Sequence, residues 1–166
     1  DGADGDGDGT CDAGDDDTGI PNSWDTDGDG VFDNYGNYEH LGSITAAIWG
    51  DGNETSEGDA LAAFVDGEQR GFSSASLIPA GPNVDGYAFI IMVYSNAGAG
   101  EEILTFQFYD EDTDTVYDIE ETLIFNPDMM VGDLFSLIEF TTIDPTLLTI
   151  PFDNQNNIAG GRAHSL

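Results

Sequence analysis

The sequence predicts an all-β protein in which an antiparallel sandwich of two sheets follows an irregular acidic segment. Between residues 38 and 140, short apolar runs with a two-residue period alternate with turn signals, and no segment shows a sustained helical period with caps. Short strands at this density pack as two sheets around one core. Twelve of the first 33 residues are aspartate, interspersed with glycine, and both residue types are disfavoured in strands.

The net charge limits the partners of such a chain. Its 166 residues carry 34 acidic side chains against two basic ones, Arg70 and Arg162, so the formal net charge is -32. Nucleic acid and anionic lipid would be repelled, and no apolar run is long enough for membrane insertion, so neither is expected as a partner. Lysine does not occur, which excludes Schiff-base chemistry and Lys–Asn isopeptide cross-links. Bound cations or a salty medium must offset the carboxylates.

The acidic segment begins with the spacing of a twelve-residue calcium loop. Loop positions 1, 3, 5, 6, 7, 9 and 12 are taken by Asp4, Asp6, Asp8, Gly9, Thr10, Asp12 and Asp15. Ca²⁺ prefers about six to eight oxygen ligands at about 2.3–2.6 Å, and alternate residues of a tightly wound loop direct their carboxylates to one centre. Glycine at position 6 permits the sharp turn, and the residue at position 7 supplies a main-chain carbonyl.

The spacing recurs further along the segment. Asp25, Asp27, Asp29, Gly30, Val31 and Asp33 repeat positions 1, 3, 5, 6, 7 and 9, and a degenerate copy around Gly19 contains Asp16, Thr18, Ile20, Asn22 and Asp25. The turn glycines lie only ten and eleven residues apart, so flanking helices have no room and neighbouring loops must share ligands. The predicted calcium ligands are Asp4, Asp6, Asp8, Thr10, Asp12, Asp15, Asp16, Asp17, Asn22, Asp25, Asp27, Asp29, Val31 and Asp33.

The stretch GIPNSWDTDGDGVFD resembles the thrombospondin type 3 repeat. This resemblance implies tandem acidic loops wound around a row of calcium ions. The sequence departs from the pattern at Gly36, where a closing acid would stand, which either weakens one site or leaves its last position to Asp17, Glu39 or another chain. The middle copy also has Thr18 and Asn22 in place of two acids.

A solvated, disordered acidic tail would have the same composition as this segment. Such a tail gives no reason for glycine at position 6 of each repeat, which favours calcium loops. Both descriptions hold if the segment is disordered without metal and ordered with it.

In the body of the chain, strands are predicted where apolar and polar residues alternate, namely residues 44–48, 60–65, 68–73, 87–94, 103–109, 116–119, 122–125 and 134–140. Residues 66–67, Asp-Gly, form a tight hairpin turn, and two prolines make residues 77–85 a connection. The run 87–94 is the most apolar and is expected at the centre of a sheet. Arg70, the sole basic residue of the body, is expected to lie opposite an acid of a neighbouring strand.

Three stretches of this body, DALAAFVDGEQRGF, YSNAGAGEEILTFQFYD and VYDIEETLIF, resemble an immunoglobulin-like sandwich module that recurs in large secreted and surface proteins of bacteria. The similarity covers roughly residues 38–140. It implies an immunoglobulin-like fold for that part and says little about activity. The predicted division is therefore residues 1–37 for the calcium-binding repeats, 38–140 for the sandwich and 141–166 for a C-terminal extension.

The C-terminal extension contains one more apolar run, residues 147–152, after the stiff exit of Asp144 and Pro145. Two interpretations of this run remain open. It forms the last strand of its own sandwich, or it completes the sheet of the next subunit by strand addition, because an unpaired sheet edge is a template for another chain.

Two further acidic stretches have a simpler explanation than metal binding. Residues 110–121 place acids at loop positions 1, 3, 5, 9 and 12, but Thr115 replaces the turn glycine and the pattern is that of two strands joined by a tip. A solvated hairpin is therefore favoured. The acidic residues of 51–59 are interpreted in the same way, as a polar loop.

No motif for catalysis is visible, so the chain is predicted not to be an enzyme. His40 and His164 share no motif with a nucleophile, and carboxylate pairs are expected by chance in so acidic a chain. Six aromatic residues would suit sugar stacking but are more typical of a core or of cross-strand pairs. They are Trp24, Trp49, Tyr87, Tyr94, Tyr109 and Tyr117, of which Trp24 is expected to pack the repeats against the sandwich.

These patterns are typical of an extracellular or cell-surface structural protein that binds Ca²⁺ and assembles with copies of itself in a fibre, sheath or adhesive matrix. The alternative is a carbohydrate-binding module of a larger secreted protein, with polysaccharide as its ligand. Millimolar calcium is available mainly outside cells, and a chain that begins at Asp1 looks like a processed one. A glycosylation sequon at Asn53 fits the same location, and Cys11, the sole cysteine, is expected to be inert.

Overall fold

The structure is a computed structural model that describes residues 19–49 and 54–144. A short 3-10 helix, Tyr35–Asn37, precedes the strands. The strands are β1 (His40–Ile48), β2 (Ala60–Val65), β3 (Glu68–Ser74), β4 (Ser76–Leu77), β5 (Tyr87–Ser95), β6 (Ile103–Asp110), β7 (Thr115–Ile119), β8 (Leu123–Ile124), β9 (Met130–Val131), β10 (Ile138–Phe140) and β11 (Thr142–Ile143).

The strands form two sheets that pack face to face, which confirms the predicted all-β sandwich. The β1 sheet has the strand order β10-β1-β5-β4, with β9 also paired to β1, and the β2 sheet has the order β11-β7-β6-β2-β3, with β8 paired to β6. Neighbouring strands are antiparallel, except that β9 and β10 run parallel to β1. Both exceptions involve short strands late in the chain.

Alternating residues of the long strands supply the core between the sheets. From the β1 sheet, β1 contributes Ile44 and β5 contributes Phe89, while Leu61 of β2 and Phe108 of β6 come from the β2 sheet, and all four are fully buried. The rings of Phe89 and Phe108 meet edge to face with centroids 6.0 Å apart. Full burial of one such side chain stabilises the fold by roughly 1.5–3 kcal/mol.

The predicted hairpin turn at residues 66–67 is confirmed. Asp66 and Gly67 have φ angles of 50° and 83°, the positive values that a two-residue turn between twisted strands requires. β2 and β3 pair antiparallel on either side of it, with Val65 opposite Glu68.

The late strand predicted for residues 134–140 is shorter than expected, because only Ile138–Phe140 form a strand. The Asp133 carboxylate accepts hydrogen bonds from the main-chain N–H groups of Phe135 and Ser136, at 2.8 and 2.9 Å, and so holds a turn where the strand was expected. Phe135 consequently stays 68% exposed.

Arg70 is buried where β3 of one sheet approaches β5 of the other. Its guanidinium donates to both carboxylate oxygens of Glu102, over 2.7 and 2.9 Å, and to Glu68 over 2.8 Å. Both partners are acids, but Glu102 directly precedes β6 and Glu68 lies on β3 itself, so neither is on a strand paired with β3 as the sequence predicted. The hydrogen bond from Arg70 lowers the pKa of Glu102 against the opposing effect of burial. This pair therefore adds stability above the ordinary glutamate pKa, and the contribution is lost as the pH falls through the folded value.

Candidate metal centre

The second half of the acidic segment lies on the outer face of the β2 sheet. Trp24 and Phe32 are only 4% and 3% exposed, and they pack in one cluster with Ala62, Phe72 and Tyr109. Neighbours of Ala62 along β2 point into the core, so Ala62 itself faces away from the other sheet. The expectation that Trp24 packs the repeats against the sandwich is therefore confirmed.

Directed contacts hold both ends of the acidic loop between these two aromatic residues. At one end, Gln69 of β3 donates a 2.8 Å hydrogen bond to the Trp24 carbonyl, and the indole meets the Phe64 ring edge to face at 6.3 Å. At the other end, Phe32 lies 5.8 Å from the ring of Tyr94. We call residues 25–33 the 25–33 loop. These contacts of Trp24 and Phe32 fix the loop to the sandwich at two points.

Within the 25–33 loop, main-chain N–H groups orient the aspartate side chains. The two oxygens of Asp25 accept from Gly28 and Gly30, at 2.9 and 2.7 Å, while Asp29 accepts from Val31 at 2.8 Å. Asp27 accepts from the N–H of Asp29 at 3.2 Å. Each bond curls the chain around the acid that accepts it, so alternate carboxylates turn toward the inside of one loop.

Glycine makes this curl possible at two positions. Gly28 and Gly30 have φ angles of 72° and 81°, in the left-handed region that other residues adopt only at a cost. The first of them was not singled out by the sequence pattern, which assigned the turn to position 6 alone.

The outcome is a group of three carboxylates that could hold a cation. One oxygen from each of Asp25, Asp27 and Asp29 lies within 4.8 Å of the other two. The donors are all oxygen, which suits a hard cation such as Ca²⁺ rather than the nitrogen- and sulphur-bound metals. Because like charges this close repel one another, a divalent cation among them would relieve the repulsion.

Among the other predicted ligands, Asp33 has a different contact. Its Oδ2 atom accepts hydrogen bonds from the main-chain N–H and the hydroxyl of Thr26, at 3.0 and 2.5 Å, so this carboxylate closes the loop. Asn22 lies in the turn that precedes Trp24, and Val31 contributes the N–H bonded to Asp29. Eight predicted ligands lie outside the described residues, namely Asp4, Asp6, Asp8, Thr10, Asp12, Asp15, Asp16 and Asp17.

The acidic stretch at residues 110–121 is a hairpin, as favoured from the sequence. β6 and β7 pair up to Asp110 opposite Thr115, and the Asp110 carboxylate accepts from the N–H of Asp112 at 3.0 Å. In the part of the chain that the structure describes, the aspartates of the 25–33 loop are the group whose carboxylates converge in this way.

Asp59 has a structural role that the sequence did not indicate. It is fully buried, and it accepts hydrogen bonds from the N–H groups of Ser56 and Glu111, at 2.7 and 2.9 Å. The residue thereby ties the loop before β2 to the β6–β7 hairpin. Burial raises the pKa of this carboxyl, and the nearby Asp110 acts in the same direction.

Five of the six aromatic residues considered for sugar stacking pack against other groups of the described chain. Trp24 and Tyr109 are buried, and Tyr94 belongs to the cluster around Phe32. Tyr117 stacks on Phe108 with ring centroids 6.3 Å apart, and Trp49 packs beside Ala47. Packing on the sheets accounts for their positions.

No helix in residues 19–49 or 54–144 is long and apolar enough to cross a membrane.

Comparison of the chain with protein-family models, curated proteins and solved structures found no match.

Proposed function

We propose that the chain is an extracellular or cell-surface calcium-binding structural protein, a subunit or module of a fibre, sheath or adhesive matrix. The observation that supports this most strongly is the position of the Asp25, Asp27 and Asp29 carboxylates. They converge in a loop whose two ends, Trp24 and Phe32, are buried against the sandwich.

The anchored loop suggests how calcium would act on the whole chain. Because the 25–33 loop is fixed to the sandwich at both ends, an ion bound there would have a set position relative to the sandwich. The repeats before it share ligands with their neighbours in the proposed arrangement, so ions in successive loops would continue this order outward. The acidic repeats would then act as a calcium-stiffened spacer between one sandwich and the next.

The net charge is consistent with such an assembly in a calcium-rich medium. A formal charge of -32 opposes the approach of copies, and each Ca²⁺ ion adds two positive charges. Three ions would offset only about six negative charges. Assembly should therefore depend on salt as well as on calcium, and the same charge disfavours nucleic acid and anionic membranes as partners.

Light scattering of the full chain tests this function. Added Ca²⁺ at a few millimolar should raise the mean mass, and a chelator should reverse the change. The test variant combines Asp27→Asn and Asp29→Asn, which removes two proposed ligands. The control variant is Asp85→Asn, which removes one exposed acid outside the loop. Asn tolerates the positive φ of 71° at position 85, so this control should assemble like the parent. If the mean mass of the parent chain did not change when calcium was added, the proposed structural role would be wrong.

A further inference from the structure

An open groove lies on the outer face of the β2 sheet, next to the surface that the 25–33 loop covers. Its volume is about 480 Å³, and side chains from four strands and the main chain of one turn line it. The residues that matter here are Phe64, Gly67, Thr105, Gln107, Asp118 and Ile143.

The strand register shows that these side chains share the outer face. Phe64 of β2 is opposite Thr105 of β6, Gln107 of β6 is opposite Asp118 of β7, and Asp118 is opposite Ile143 of β11. Cross-strand partners point to the same side of a sheet. Because Phe64 packs on Trp24, this side is the outer one.

The floor of the groove is polar and its ends are apolar. Gln107 donates a 2.9 Å hydrogen bond to one oxygen of the exposed Asp118 carboxylate. Phe64 and Ile143 supply apolar walls at the two ends. Because Asp118 repels a negatively charged occupant, the groove is suited to an uncharged segment whose apolar side chains contact the walls, and such a segment is rare in a chain with a net charge of -32.

Such a segment follows the groove directly in the sequence. Ile143 lines the groove, Asp144 is the last residue described, and residues 145–152 contain no charged side chain and four large apolar ones, Leu147, Leu148, Ile150 and Phe152. From β11 to β2 is three strand spacings, about 14 Å. Six extended residues span about 20 Å, so residues 147–152 are long enough to cross.

We propose that residues 147–152 of the same chain dock in this groove on the outer face of the β2 sheet. Only three residues separate Ile143 from Leu147, which gives the chain's own segment a high effective concentration at the groove relative to a segment from another copy. The apolar walls would then be covered without a partner. This inference does not depend on calcium, so it can fail or hold independently of the proposed function.

Disulfide trapping in the full chain tests the proposal. On a Cys11→Ser background, Thr105→Cys is combined in turn with Leu147→Cys, Leu148→Cys and Ile150→Cys, and each variant is oxidised with diamide in chelator. Thr105 is exposed on the sheet, so its replacement leaves the core intact. The control pairs the same three substitutions with Ile124→Cys, which is 56% exposed and does not line the groove.

We expect at least one Thr105→Cys pair to form an intramolecular disulfide, seen as a monomer lighter by two hydrogens, at least tenfold faster than any Ile124→Cys pair. Disulfide-linked dimers in place of that monomer would assign the groove to another copy and overturn the proposal. Equal rates for both series would show that the segment has no preferred site, which overturns it too. As a second measurement, Leu148→Asp with Ile150→Asp should lower the melting temperature more than Ile124→Asp does, and an equal effect would count against docking.

Discussion

Among the described residues, two stretches carry aspartate at every second position, yet the carboxylates converge in only one of them. In the 25–33 loop, Asp25, Asp27 and Asp29 bring their carboxylates within 4.8 Å. At the tip of the β6–β7 hairpin, Asp110 is 5% exposed at a strand end and Asp114 instead accepts a 2.8 Å hydrogen bond from the Tyr109 hydroxyl. Spacing of acids alone therefore does not predict convergence.

The difference between the two regions lies in the residues between the acids. Gly28 and Gly30 take positive φ angles in the loop, whereas Thr113 and Thr115 occupy the corresponding places in the hairpin. β6 ends at Asp110 and β7 begins at Thr115, so Asp110 is held in a strand while Asp112 and Asp114 lie in the turn between the two strands. Glycine at these two positions permits the curl of the 25–33 loop, whereas the pairing of β6 with β7 also determines the conformation of the hairpin tip.

The largest expected effect comes from removing the support under the loop. Trp24→Ala should lower the free energy of unfolding by about 3 kcal/mol, because a buried indole is lost and a cavity is left beside Phe64. Urea denaturation of the variant and of Phe135→Ala, whose ring is 68% exposed, provides the comparison. A loss below about 1 kcal/mol would mean that the loop is not held by this contact.

A smaller effect is expected from the turn itself. Gly30→Ala forces a Cβ into a residue with φ of 81°, at a cost of about 1–2 kcal/mol. If calcium binding requires this curl, the affinity should fall by roughly tenfold, since about 1.4 kcal/mol corresponds to a factor of ten. Gly36→Ala is the matched control, because Gly36 has no positive φ and open space around its Cα. Equal calcium affinities in the two variants would show that calcium binding does not require the positive φ at Gly30.

The hairpin offers the converse experiment. Thr113→Gly with Thr115→Gly gives the tip the glycine spacing of the loop, but Asp110 stays buried beside Asp59, so we expect no new calcium site. The two glycines should lower the free energy of unfolding by about 1 kcal/mol, because glycine loses more conformational entropy on folding than threonine does. They also remove β-branched side chains from the turn and the strand end. Calorimetry that detects an additional bound ion in this variant would show that glycine alone is sufficient.

The smallest effect concerns the buried acid beside the hairpin. Burial raises the pKa of Asp59, so the folded state keeps its proton to a higher pH than the unfolded state does. This group therefore lowers stability as the pH rises from the ordinary aspartate pKa through the folded value. Asp59→Asn removes that contribution. The free energy of unfolding of the parent chain, measured relative to this variant by denaturation at each pH, should therefore fall as the pH rises across this range. If the parent chain instead gained stability relative to the variant as the pH rose, the burial argument would be contradicted.

Much of the sandwich follows from alternation in the sequence. The long strands β2, β5 and β6 were predicted within one residue at each end, because turn residues lie at both ends of each apolar run. The two-residue strands β4, β9 and β11 were not predicted, and neither was the parallel pairing of β9 and β10 with β1. Such pairings join distant segments through main-chain atoms, which carry no signal in the side-chain pattern.

The candidate site was predictable to a similar extent. Alternate aspartates and a glycine identified Asp25, Asp27 and Asp29, and Trp24 indicated the contact with the sandwich, whereas the similar role of Phe32 was not predicted. The role of Asp33 as acceptor for Thr26 was not predictable, because it depends on how the end of the loop folds back. The burial of Asp59 likewise results from the hairpin that covers it, more than fifty residues later in the chain.

The most direct test of the account is a calcium titration followed by the fluorescence of Trp24, which directly precedes Asp25. The full chain with Trp49→Phe reports on this indole alone. We predict a saturable change in emission at millimolar Ca²⁺ or below, with a midpoint at least tenfold higher after Asp27→Asn with Asp29→Asn and unchanged after Asp85→Asn. An emission that does not respond to calcium, or the same midpoint in all three proteins, would contradict the claim that the anchored loop is a calcium site.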